Sequence, residues 1–224
     1  MSKQKAKFKA DKTDIVCRVV MGLLAVAVPV VSYFMNMIYY VVDSTVFQLI
    51  AQLKGDTSDD GSTYGYIGFH YFFQKIYPYI KGNGENKESL SNLWTTLEPV
   101  HIPLILTTIF FALIIVTAIV ILFVSIFSNS KKIPLCFAGF GLACAIGMFI
   151  SFKYFSAPLV DGTISLSSFF ESSLVSLILP FVAKLSILNL SSAWVMILVI
   201  YISMIVWTGA QLIINIGDTP KSKK

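Results

Sequence analysis

His70 and His101 are the only histidines in this chain of 224 residues, and Cys17, Cys136 and Cys144 are the only cysteines. An acid–base or metal site would combine the two imidazoles with Asp59, Asp60 or Glu98. The spacing does not favour one: there is no His-x-x-x-His pair and neither histidine sits in a catalytic frame. A Gly-x-Ser-x-Gly elbow, a phosphate-cradling glycine loop and a His-Glu-x-x-His helix are likewise missing from the sequence. The expectation is therefore no catalytic, cofactor-binding or metal-binding residues and no cofactor. The three cysteines lie in or beside apolar segments, so they read as small packing residues rather than as a disulfide framework for an external domain. Cys17, beside lysines at a span boundary, is the position suited to palmitoylation.

The elements that must carry these residues are set by composition. Hydrophobic residues make up 56% and charged residues 13%, with a mean hydropathy of +0.77. A soluble domain carries about 25% charged residues, so a disordered chain is excluded and the composition argues against a water-soluble enzyme. The pattern predicts an all-α integral membrane protein: a four-transmembrane-helix bundle with short amphipathic helices in the external loops. The spans are 19–42, 102–127, 134–152 and 193–216, each about the 20 residues that a helix needs to cross a hydrocarbon core. The first outlasts the roughly 7–15-residue core of a secretory signal and contains Pro29, so it reads as an uncleaved anchor.

None of the four spans contains Asp, Glu, Lys or Arg. Proton relays and voltage sensors are built on such residues. The polar groups within the spans are Asn36, Thr107, Thr108, Thr117, Ser203, Thr208 and Gln211, whose usual role is interhelical hydrogen bonding. Span three carries a small-residue stripe, Gly139, Ala143 and Gly147, thickened by Gly141 and Ala145. Such spacing lets helix backbones approach closely in lipid.

Orientation follows from the cations. The tail 1–18 holds Lys3, Lys5, Lys7, Lys9, Lys12 and Arg18; the short loop 128–133 holds Lys131 and Lys132; the tail 217–224 holds Lys221, Lys223 and Lys224. Both termini are expected in the cytoplasm, in the cell membrane. The lysines there would meet anionic lipid headgroups. With a single arginine, Arg18, the chain is poorly equipped for bidentate phosphate recognition, and no nucleic-acid partner is expected.

The external segments are 43–101 and 153–192. In the first, Phe69, Phe72, Phe73, Ile76 and Tyr77 recur at helical spacing, and Leu90, Leu93, Trp94 and Leu97 repeat it. In the second, Leu166, Phe169, Phe170, Leu174, Leu177 and Ile178 line one face, Pro180 interrupts it, and Phe181, Val182, Leu185 and Leu188 resume. These pieces read as interfacial helices, with a fifth span near 174–190 or a re-entrant hairpin at Pro180 as rivals. Tyr66, Phe69, Phe72, Phe73, Tyr77 and Trp94 form either an anchoring belt or a surface for a partner.

Four spans, termini on one side and a larger first outer loop make a topology similar to the claudin and tetraspanin groups, and Asn92-Leu93-Trp94 resembles the claudin Gly-Leu-Trp. The paired loop cysteines that define both groups are absent, and helical periodicity stands in place of the β-rich claudin loop. Topology alone carries no function across. The residues themselves predict a non-catalytic accessory, scaffold or assembly subunit that docks on a membrane-protein partner or a second copy. The alternatives are a transporter or channel component, with Asn36, Thr107, Thr108, Thr208 and Gln211 around one cavity, and a lipid-modifying enzyme using His70 or His101.

Overall fold

The structure is a computed structural model, which describes residues 12–43, 62–71, 94–95, 97–128, 130–164 and 184–217. Among these residues it is mostly helical. Four helices are long and apolar enough to span a membrane: α1 (Lys12–Phe34), α2 (His101–Phe127), α3 (Lys132–Val160) and α4 (Ser192–Gly217). They pack in the ring order α1–α2–α3–α4, each antiparallel to its neighbours. Side-chain contacts fix the levels. Arg18 reaches the end of α2 at Ser125, Phe110 of α2 lies over Gly147 of α3, and Trp194 of α4 reaches Ala145 of α3.

The expected ends of spans two and four fall within one residue of the helices, whereas spans one and three need correction. The first helix starts at Lys12, inside the expected tail, and stops at Phe34. The apolar run that follows, Asn36 to Asp43, is a strand. Its Ile38, Tyr39, Tyr40, Val41 and Val42 are β-branched or aromatic, types that favour a pleated surface over a helix. Helix α3 does not stop at Phe152 but runs on to Val160. Lys153 and Tyr154 are exposed, so a charge there does not end the helix. Gly162, with φ +76°, does so: its conformation suits the turn after a helix, and the Ile164 N–H returns to the Pro158 carbonyl at 3.1 Å.

Three strands replace part of the expected loop helices, and the all-α reading is corrected accordingly. Strands β1 (Asn36–Asp43), β2 (Ser62–Gly68) and β3 (Lys184–Leu190) form an antiparallel sheet in the order β2–β1–β3. The centre strand pairs Tyr40 with Gly65 on one side and with Leu188 on the other. Leu185 and Leu188, expected on a helix, lie on β3. A re-entrant hairpin or fifth span is not the structure of 184–190. Of the first-loop helices, the structure describes one turn at Phe69–Tyr71, Trp94–Thr95 and a 3₁₀ turn at Glu98–Val100. Residues 72–93 and 165–183, which carry the rest of both periodic runs, lie outside the described residues.

Packing divides into two cores. The larger fills the bundle with Met21, Ala25, Val28, Ile114, Ala118, Ile121, Ala138, Met148, Ile197 and Met204. The smaller lies beneath the sheet, where Leu97, Val100, Leu159 and Ile164 pack with Phe155 and Leu188. It joins the last turns of α3 to β3 and the 3₁₀ turn. From Lys132 to Lys153 the rise is about 31 Å, close to the ~30 Å of a bilayer core. The last two turns of α3, which carry Phe155 and Leu159 of the smaller core, pack with β3 and the 3₁₀ turn as a cap. The end bearing the sheet is the capped end of the bundle, and the opposite end is the basic end.

Candidate interaction surface and polar interior

At the capped end, Trp94 stacks on His101 with ring centroids 3.8 Å apart and planes 20° apart. The pair is closed by a 2.7 Å hydrogen bond between His101 Nε2 and the Trp94 carbonyl; as the carbonyl can only accept, the imidazole donates. His101 opens α2, so the first turn of a long rigid helix holds Trp94, which remains 50% exposed. Tyr66, 51% exposed on the edge strand β2, packs against Tyr39 of β1 with centroids 5.2 Å apart. The expected aromatic surface divides here. Tyr66 and Trp94 face outward, whereas Phe69 turns toward the bundle and meets Phe111 at 5.1 Å. Phe72, Phe73 and Tyr77 lie outside the described residues.

The histidines engage separate partners. His101 is occupied by Trp94, and His70 stands edge-on to Tyr33 at 6.4 Å. Among the described residues no group of three or more His, Cys, Asp or Glu side chains could hold a metal ion. Cys17 is buried at 4% exposure and so is not open to a lipid-transferring enzyme, whereas Cys136, near the start of α3, is exposed.

The middle of the bundle is sealed by a residue that sequence spacing does not single out. Tyr201 of α4 is fully buried and crosses the bundle to donate from its hydroxyl to the Ile114 carbonyl of α2 at 2.7 Å. Gly141 of α3 lies beneath its ring and leaves the space it occupies. Trp194 bridges helices in a similar way nearer the cap: its Nε1–H donates to the Ala145 carbonyl at 3.0 Å, and its ring stacks on Phe149. Lys153 in turn sits 5.7 Å from the centre of the Phe149 ring, a cation–π arrangement.

The small-residue stripe is split. Gly147 packs against Phe110, but Gly139 and Ala143 lie on the outer surface, with nothing within 4 Å of a Cβ at Gly139. Residues two apart on a helix differ by about 200° in direction, so Gly141 and Ala145 face inward because Gly139 and Ala143 do not. The polar set does not gather around one cavity either. Asn36 and Thr108 are exposed, while Thr208 and Gln211 are buried. Thr107, Thr108, Thr117 and Ser203 donate to carbonyls four residues back on their own helices, which satisfies a hydroxyl without a partner helix.

The basic end is more polar. The Arg18 Nε–H donates to the Ser125 carbonyl at 2.7 Å, and the same guanidinium donates to the Ile126 carbonyl. These belong to the last turn of α2, where carbonyls have no partner within the helix and a cation is favoured by the helix dipole. One level inward, the Thr208 hydroxyl donates to Met21 Sδ at 3.1 Å.

No protein-family model, curated protein or solved structure matches the chain. The functional reading therefore rests on the geometry above.

Proposed function

We propose that the protein is a non-catalytic, multi-pass accessory or assembly subunit of a larger membrane complex, docking through its cap. The carrying observation is Trp94: a large aromatic side chain, half exposed yet fixed by the His101 stack and hydrogen bond. Rigid exposed aromatics lose little entropy on binding and dominate interface energetics. Tyr66 adds a second such group on β2. The interior supports the reading from the other side, because its centre is filled by Tyr201 and apolar packing rather than shaped as a pathway.

The protein resides in the cell membrane with both termini cytoplasmic, a reading supported by the cations of the two tails and the 128–133 loop. Lys132, exposed at the start of α3, lies beside anionic headgroups there, and the partner is another membrane protein or a second copy. The test is affinity purification of the full chain in a mild, lipid-preserving detergent, with mass spectrometry of what co-elutes. A stoichiometric membrane protein, lost with Trp94→Ala and Tyr66→Ala while the helical circular dichroism is retained, is the expected result. A protein that elutes alone as a monomer overturns the reading.

A further inference from the structure

Among the described residues of α2 and α4, three polar side-chain atoms toward the basic end are buried without a hydrogen-bond partner: Ser125 Oγ on α2, and Trp207 Nε1 and Gln211 Oε1 on α4. Ser125 and Gln211 are only 5% and 8% exposed. A buried polar group left unpaired costs about 1–3 kcal/mol, so three in one region call for a common explanation.

Ser125 and Gln211 share a depth, and Trp207 lies one turn, about 6 Å, nearer the middle of the bundle. Helices α2 and α4 run the same way, and the Tyr201–Ile114 hydrogen bond sets them level in the middle of the bundle. From Ile114 to Ser125 and from Tyr201 to Gln211 the rise is about 16 Å and 15 Å respectively. The α1 contacts agree: Arg18 touches Ser125, and one turn further in Met21 touches Thr208, the residue one turn before Gln211. Trp207 and Gln211 are four apart on α4 and so neighbours along one side of that helix.

We propose that this level is a hydrated chamber, with bound water accepting from Trp207 Nε1–H and donating to Gln211 Oε1 and Ser125 Oγ. The chemistry selects the ligand. Trp207 offers only a donor and Gln211 Oε1 only an acceptor, so a simple anion or cation satisfies one and not the other. The Arg18 guanidinium beside Ser125 further opposes a cation. Water both donates and accepts, and it serves either orientation of the Gln211 amide. Buried waters of this kind typically bridge two to four polar groups.

The test is X-ray radiolytic footprinting of the full-length protein in lipid nanodiscs, in which hydroxyl radicals formed from bound water oxidise adjoining side chains. Three methionines of the bundle core serve as matched reporters: Met21 is 2% exposed and takes the Thr208 hydroxyl one turn from Gln211, whereas Met148 and Met204 are 1% and 0% exposed and lie nearer the middle of the bundle. The chamber predicts oxidation of Met21 on the order of tenfold faster than of Met148, since water is confined to polar, not apolar, cavities. Gln211→Leu lowers the Met21 rate and leaves Met148 unchanged. Equal rates at Met21 and Met148 in the unaltered protein overturn the proposal, and that comparison needs no variant to fold.

Discussion

The ring of Tyr201 lies on Gly141, and a methyl group at position 141 would fall inside its van der Waals surface. The aromatic ring, the missing side chain beneath it and the hydroxyl bond to Ile114 form one device linking α2, α3 and α4. Its components are separable by substitution. Tyr201→Phe removes only the hydrogen bond and is expected to cost about 1 kcal/mol. Gly141→Ala overpacks the site and is expected to cost about 1–3 kcal/mol. Thermal unfolding in detergent measures both, and a smaller loss from Gly141→Ala in a Tyr201→Leu background confirms that the clash is with this ring.

Arg18 joins α1 to the last-turn carbonyls of α2 at Ser125 and Ile126. Arg18→Ala leaves those carbonyls without their guanidinium donors and is expected to loosen the last turn of α2. Amide hydrogen exchange reads this at Ser128, whose N–H bonds the Val124 carbonyl at 2.9 Å. Faster exchange there, with unchanged exchange near Tyr201, is the expected pattern. Arg18→Lys restores protection incompletely, because an ammonium cannot reproduce the planar fork.

Cysteine reactivity separates exposed from buried thiols. In detergent, N-ethylmaleimide is expected to modify Cys136 first, with Cys17 and Cys144 reacting only on unfolding. Peptide mass spectrometry assigns the modified residue. Early labelling of Cys17 contradicts its place in the α1 packing.

The two faces of α3 differ in tolerance. Gly139→Leu meets open space and is expected to leave monomer stability within about 0.5 kcal/mol. Gly147→Leu pushes into Phe110 and is expected to cost about 1–3 kcal/mol. The same pair distinguishes internal packing from self-association: size-exclusion chromatography with light scattering shows a change with Gly139→Leu only if that face contacts a second copy.

Spans two and four are legible to within a residue because their apolar runs end where polar chain begins. Span one is not, since Met37 to Val42 prolong the same apolar run after the backbone has changed from helix to strand. Lys153 misleads in the other direction, ending an apolar run that the helix outlasts. The sheet itself is beyond local pattern: Tyr40 pairs with Leu188 across about two thirds of the chain, and each strand in isolation has only a weak signal. Tyr201 looks like any other aromatic residue in an apolar span. Its role depends on Gly141 arriving from another helix, which spacing within one helix cannot report.

The junctions between sheet and bundle constrain how this molecule can move. Only Met35 separates α1 from β1, and only Ser191 separates β3 from α4, while the Ser191 N–H bonds the Met37 carbonyl at 2.8 Å. With β1 and β3 laddered together, α1 and α4 are fastened at one end like the two arms of a staple. A piston stroke of one arm along the other by a single residue would break the ladder and reverse the facing of every side chain in it. Axial sliding between α1 and α4 is thereby forbidden. What remains to the bundle is splaying at the opposite end, where the arms are free of the sheet.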